Sequence, residues 1–148
     1  MSSNGVIGGQ VVDILAEKAL IEHTRENLQF LHINKTAKLI QASVLIGAVI
    51  AQTNKEVYNS LKEASKKIGL AFQIKDDLLD IKGTTEKIGK NVGRDKELGK
   101  LTYPKLVGIK KAEKVCTQLQ SESIAILKRI NKSENLIEIF EFLVTRNY

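Results

Sequence analysis

Apolar side chains recur at alternating intervals of four and three at Val57, Leu61, Ala64, Ile68 and Ala71. That is the period of one face of an α-helix, and it predicts a helix from Asn54 to about Ile81 whose stripe lies against a core or a neighbouring helix. Leu39 to Ala51 is apolar almost throughout, with Gln41 and Ser43 as polar interruptions, and predicts a buried helix beginning near Asn27. Val11, Val12, Ile14 and Leu15 predict a helix that breaks near Lys18. Thr102-Tyr103-Pro104 predicts another helix start, because Pro lacks only an N–H that the first turn leaves unpaired anyway. That helix is expected to continue to about Ile130. Asn131 or Ser133 is placed to cap a last helix carrying Leu136, Ile139, Phe140 and Leu143. No segment alternates with the period of a strand, and no internal repeat is present. The pattern therefore reads as all-α, with helices packed in roughly antiparallel fashion.

Polar stretches complete the picture. Gly83, Gly89, Gly93 and Gly99 punctuate Lys82 to Lys100, which predicts a long loop, and long irregular loops in compact domains tend to be functional. Near the start, Gly8 and Gly9 mark a helix beginning or a close backbone approach.

Composition narrows the function classes. The chain has 148 residues, 43% hydrophobic and 27% charged, enough for one globular domain with a core. A net charge of +6 admits nucleic acid, an anionic membrane or a phosphorylated small molecule as a partner. The lysines are scattered, and aromatics are 5% of the chain and not interleaved with them, so no nucleic-acid partner is expected. Cys116 is the single cysteine; it cannot form an internal disulfide and fits a reducing cytoplasm. The longest apolar stretch, about thirteen residues, falls short of the roughly 20 that a membrane span requires, so no span is expected.

The strongest chemical signal is Asp76-Asp77-Leu78-Leu79-Asp80, which follows the apolar run Ile68-Gly69-Leu70-Ala71-Phe72-Gln73-Ile74. Asp is costly to bury and a poor helix-interior residue, so three carboxylates emerging from an apolar helix call for a cation. At about 100° per residue, Gly69, Gln73, Asp76, Asp77 and Asp80 share an arc of roughly 100°. Oxygen ligands without His or Cys favour Mg²⁺, which completes its shell with phosphate oxygens and water; Mn²⁺ accepts the same donors. The alternative is a solvated acidic face with weak ion pairs. Lys35-Thr36 could present a cation and a hydroxyl to a phosphate, or Lys35 could simply extend to solvent. In Gly89-Lys90-x-x-Gly93-x-Asp95-x-x-x-Gly99-Lys100, glycines permit a tight backbone and lysines supply point charges. Gln10 and Asp13 are expected to cap or pair with a neighbouring helix, and His23 and His32 to be structural or surface residues.

Taken together these motifs resemble a known family. Gly8-Gly9-Gln10-x-x-Asp13, His32-x-x-Lys35-Thr36-x-x-Leu39-Ile40, Gly69-Leu70-Ala71-Phe72-Gln73-Ile74-x-Asp76-Asp77-x-Leu79-Asp80, Gly89-Lys90-x-x-Gly93-x-Asp95, Gly99-Lys100-x-Thr102-Tyr103-Pro104 and Arg146-Asn147 occur in order. The chain is similar to the C-terminal half of the trans-isoprenyl diphosphate synthases, most of all the bacterial farnesyl diphosphate synthases, or geranyltranstransferases. The resemblance implies half of the isoprenoid synthase helical bundle, present as a single partial domain over residues 1–148. It implies Mg²⁺-dependent condensation of isopentenyl diphosphate with an allylic diphosphate. Asp76, Asp80 and Asp77 would then serve the metal, with Asp77 acting indirectly or through a lysine. Lys35 and Lys90 would grip the allylic diphosphate, and Thr36 and Gln73 would lie beside the allylic chain where a carbocation develops. Lys100 would stand near the acidic cluster and Arg146 would help cover isopentenyl diphosphate.

The chain departs from the family in what it lacks. A first aspartate-rich motif and a Gly-Lys-x-x-Arg segment are absent, and members are roughly twice this length. The expectation is a fragment or truncated product, inactive alone, with apolar faces exposed unless another chain covers them. A homodimer is expected of the full-length enzyme. The alternatives are a non-catalytic diphosphate-binding or regulatory subunit that pairs with a catalytic synthase, and a longer-chain geranylgeranyl synthase.

Overall fold

The computed structural model describes residues 5–18, 20–22, 24–88 and 101–146, with the backbone alone for 82–88. Among them every regular element is helical: α1 (Val6–Glu17), α2 (Arg25–His32), a π-helical turn (Ile33–Ala37), α3 (Lys38–Ile50), α4 (Lys55–Ile88), α5 (Tyr103–Val107), α6 (Ile109–Leu127) and α7 (Glu134–Thr145). The pillar is α4, against which α6, α3, the π turn, α7 and α5 all pack.

The stripe read from the sequence is the inner face of α4. Leu61, Ala64, Ile68, Ala71, Ile74 and Leu78 are all buried there. From α6 come Ala112, Cys116 and Leu127, and from α7 Phe140 and Val144. Ala64, Ala71 and Ala112 have no exposed surface, so the two long helices approach closely. Polar atoms on this seam are satisfied across it: Ser123 Oγ donates to Ala64 O at 2.8 Å and Cys116 Sγ to Ala71 O at 3.4 Å. Burial pushes the Cys116 thiol pKa up, keeping it protonated and able to donate.

The helix starts follow local chemistry. Thr24 Oγ1 accepts from Asn27 N at the beginning of α2, and Asn54 Oδ1 accepts from Val57 N at that of α4. Ser133 precedes α7 as expected but does not cap it with its side chain; its Oγ donates back to Leu127 O instead.

Four boundaries differ from the sequence reading. The helix expected over Asn27 to Ala51 is interrupted by the π turn. α4 runs on to Ile88 rather than ending near Ile81, because one internal glycine costs only about 1 kcal/mol relative to Ala and does not stop an established helix. The helix expected from Thr102 to Ile130 is two helices parted at Gly108, whose φ of +86° is disfavoured for residues with a side chain. The run Arg25–Ile50 is long and apolar enough, by length and composition, to cross a membrane, which the shorter stretch from Leu39 to Ala51 is not. Within its most apolar stretch of 18 residues only 17% are buried. Ile7, Val11 and Ile14 on α1 are exposed, and so are Leu39, Ile46, Val49 and Ile50 on α3, where the sequence reading expected a buried helix.

Candidate functional site

Two glycines build the site. At Gly9 on α1, an added Cβ would come 2.8 Å from Asn34 C and from Lys35 Cα, closer than real Cβ atoms approach. At Gly69 on α4, it would lie 2.7 Å from Ala37 Cα. Both glycines therefore admit the backbone of the π turn, which is wedged between α1 and α4. Gly69 clears space for Ala37 rather than for a ligand. A π turn carries one extra residue per turn and shifts the side chains that follow it, a device common at functional sites.

The turn directs its polar residues to both neighbours. Lys35 Nζ pairs with Asp13 on α1, the partnership across helices expected of Asp13. Thr36 Oγ1 donates to Gln73 Oε1 on α4 at 2.8 Å. Asn34 is buried; its amide nitrogen donates to Phe30 O, and its oxygen accepts from Lys38 Nζ at 2.7 Å. Of the residues singled out in the sequence, Thr36 and Gln73 are thus brought together across 37 residues, while Lys35 turns to Asp13. One turn beyond Gln73 the carboxylates begin.

These carboxylates divide. Asp80 is exposed and the Asp76 side chain is 40% exposed. Arg146, at the end of α7, donates through Nη2 to Asp76 Oδ1, and its guanidinium carbon lies 3.9 Å from the centre of the Phe72 ring. Arg146 Nε is buried with no hydrogen-bond partner among the described residues. Asp77 does not share the direction expected of it. It is only 5% exposed, and its Oδ2 accepts from His32 Nε2 at 3.0 Å and from the Tyr103 backbone N at 2.7 Å. A carboxylate pointed into the core with two protein donors on one oxygen is not presented to a surface cation. The single arc failed because Asp77 stands about 100° from Asp76, enough to carry it inward. Lys90, Lys100 and Asp95 lie outside the described residues.

Among the described residues, no group of three or more His, Cys, Asp or Glu side chains is placed to hold a metal. Asp76 and Asp80, one helical turn apart, offer oxygen alone, and a guanidinium already rests on Asp76. This donor set fits a hard cation that takes its remaining oxygens from phosphate and water, and does not fit a closed protein cage. The sequence reading did not foresee the partnership of His32 with Asp77. Its signal was the spacing of His32 four residues after the buried Leu28, but the partner lies 45 residues away.

Comparison with known proteins bears on what such a site serves. The family model described as polyprenyl synthetase matches residues 2–143. The chain is 40% identical over 148 residues to a geranylgeranyl diphosphate synthase from Cyanophora paradoxa, covering 99% of this chain and 49% of that protein. Its fold matches an FPP/GFPP synthase from Zymomonas mobilis with a TM-score of 0.80 at 30% identity, over 97% of this chain and 46% of the other. A geranyltransferase from Helicobacter pylori, complexed with magnesium and isoprenyl diphosphate, matches with a TM-score of 0.68 at 30% identity, over 97% and 48%. The chain spans about half the length of the relatives it matches.

Proposed function

The chain belongs to the polyprenyl synthetase family, and from that premise we propose that it forms the allylic diphosphate-binding half of a Mg²⁺-dependent prenyltransferase. The observation that carries this reading is that the π turn joins Thr36 to Gln73, one helical turn before Asp76, and holds the Lys35 ammonium on Asp13. In the proposed reaction the C–O bond of an allylic diphosphate breaks and the diphosphate departs with the electron pair. The alkene of isopentenyl diphosphate forms the new C–C bond, and a proton is lost to the released diphosphate. When bound at Asp76 and Asp80, Mg²⁺ (or Mn²⁺) neutralises charge on the departing oxygens.

This chain's own residues hold and orient. Lys35, kept in place by Asp13, presents its ammonium beside the phosphates. Arg146, whose Nη2 rests on Asp76, is assigned here to isopentenyl diphosphate. Lys90 and Lys100 complete the cationic lining in this proposal. Thr36 and Gln73 face the apolar chain, where their oxygens stabilise positive charge developing at carbon. Asp77 acts from within the core.

The curated relative is a geranylgeranyl synthase and the bacterial neighbours carry farnesyl and geranyl names, so both farnesyl and geranylgeranyl diphosphate stand as products. We propose that the chain alone binds diphosphate but does not turn over, since one wall of a two-walled site is present. The exposed apolar faces of α1 and α3 are then the surfaces that the rest of the fold, or the partner in a homodimer, covers. A location in the cytoplasm, outside the bilayer, belongs to the same proposal. Lys35, Lys38 and Asn34 make polar contacts in the middle of Arg25–Ile50, which supports packing in a polar site rather than in lipid.

The test is to titrate the chain with magnesium and geranyl diphosphate by calorimetry, then to supply isopentenyl diphosphate and look for prenyl products. Binding without product is expected. Absence of binding would overturn the site, and product formation would overturn the inactivity.

A further inference from the structure

This inference rests on the metal–diphosphate reading above and adds to it a residue that reading does not use. We propose that His32, Asp77 and the backbone amide of Tyr103 form a buried tie that sets the rotation of α4, so that Asp76 and Asp80 face outward opposite Lys35. His32 is then a positioning residue for metal-diphosphate binding.

The tie joins three elements. His32 is the last residue of α2, Asp77 lies in α4 and Tyr103 is the first residue of α5. An ionised carboxylate can only accept, so His32 donates from Nε2. The Tyr103 amide donates to the same oxygen. The His32 ring also stacks on the Tyr103 ring, with centroids 6.2 Å apart and planes 27° apart. His32 is 2% exposed and Asp77 5%, which makes this a buried polar pair in an otherwise apolar seam.

An apolar side chain at position 77 would also be buried, but hydrophobic burial is non-directional. Two hydrogen bonds on one oxygen select an azimuth. Because successive helical residues are related by about 100°, holding Asp77 inward places Asp76 and Asp80 on the same side of it, about 100° and about 60° round the helix, both able to reach the surface. The tie acts on the opposite wall as well. His32 immediately precedes the π turn that carries Lys35 and Thr36, so the same residue spaces the cationic turn from the carboxylate turn.

Four variants separate positioning from bulk and from ligation. His32→Gln keeps an N–H donor near the position of Nε2, and a cavity of about 390 Å³ beside His32 gives its longer chain room. His32→Leu removes the donor. Asp77→Asn keeps an acceptor oxygen for both donors while removing the charge, and Asp77→Leu removes both. In the ligand-free 148-residue chain, hydrogen exchange is followed at the Tyr103 amide and over residues 76–80. Faster exchange is expected in the Leu variants and near wild-type protection in His32→Gln and Asp77→Asn. Calorimetry with magnesium and inorganic diphosphate then reads the consequence. Affinity is expected to fall on the order of tenfold or more in the Leu variants, the scale seen when a partner orienting a metal ligand is removed, and to stay within an order of magnitude of wild type in the other two.

Equal binding by all four variants would overturn the positioning role. Loss of binding in Asp77→Asn with the Tyr103 amide still protected would make Asp77 a ligand and overturn it too. Should His32→Leu not fold, Asp77→Asn compared with Asp76→Asn decides, with binding kept in the first and lost in the second. If the wild-type chain binds no magnesium diphosphate, the proposed function fails. The tie is then judged by exchange alone, upheld if His32→Gln protects Tyr103 and His32→Leu does not, overturned if both protect it equally.

Discussion

The seam between α4 and α6 and the junction of α1, the π turn and α4 share a helix, but they are built on different principles. In the seam, Ala64, Ile68, Ala71, Ala112 and Leu127 exclude water completely, and their side-chain contacts are apolar and locally interchangeable. At the junction the contacts are two glycine-sized approaches, an ion pair and a directed hydrogen bond. Cores accept other side chains of suitable volume, whereas an acceptor or a bare Cα has few substitutes. The seam holds the fold and the junction holds the geometry of the site, so perturbations of the two should separate stability from binding.

The largest stability effect belongs to the seam. Ile68→Ala empties a fully buried site and is expected to cost about 2–5 kcal/mol in chemical denaturation. The folded fraction should still bind magnesium diphosphate normally, and a matching loss of intrinsic affinity would break the comparison. Gly9→Ala is expected to cost about 1–3 kcal/mol through overpacking against the backbone of the π turn. Its effect on diphosphate affinity should exceed its effect on melting, because the displaced atoms are those of Lys35. Calorimetry and a melting curve on one sample decide this. Thr36→Val conserves volume and removes the donor to Gln73, a loss of about 1 kcal/mol by the usual worth of such a bond. It should weaken geranyl diphosphate more than inorganic diphosphate, since the residue is assigned to the allylic chain.

Arg146→Ala sharpens the comparison at the surface. Removing the guanidinium from Asp76 should strengthen binding of magnesium alone by roughly threefold, within the worth of a partly exposed ion pair. It should weaken binding of isopentenyl diphosphate. Unchanged magnesium affinity would argue that the cation does not sit at Asp76.

The smallest effect is on pH dependence. Hydrogen bonds from Lys67 and Gln118 hold the Glu122 carboxyl below the usual carboxylate range, and the hydrogen bond to Glu122 raises Lys67 above the usual lysine range. The depressed Glu122 contributes stability that is present above its unfolded-state pKa and lost as pH falls through the lower folded value. The raised Lys67 contributes stability that is present below its unfolded-state pKa and lost as pH rises through the higher folded value. Melting temperature against pH should therefore lose a shallow acidic limb in Glu122→Gln, because the variant falls slightly in the neutral range and is nearly unchanged in acid.

Much of this molecule is legible one segment at a time. The stripe from Leu61 to Ala71 announces its helix and its buried face, and that face is the one observed. Asp76 and Asp80 stand out by residue type and spacing, and Thr36 and Gln73 through the family resemblance; the fold joins Thr36 to Gln73 one turn before Asp76. Local pattern suffices because helical period and side-chain class are properties of neighbouring residues. It fails where an outcome depends on a partner elsewhere. Gly9 and Gly69 are visible as glycines, but that both admit the π turn is decided by how α1 and α4 flank it. Arg146 meets Asp76 across 70 residues, and His32 meets Asp77 across 45. Asp76 and Asp77 are adjacent and chemically identical, so helical period groups them, and only the family resemblance set Asp77 apart as acting indirectly. His32 at the end of α2 and the Tyr103 amide at the start of α5 hold Asp77 to the core, and Asp76 is left at the surface. The sequence by itself determined which groups the chain carries and which helices bear them. Tertiary structure decided which way each group faces, because direction is set by contacts between helices and not by the residues next in line.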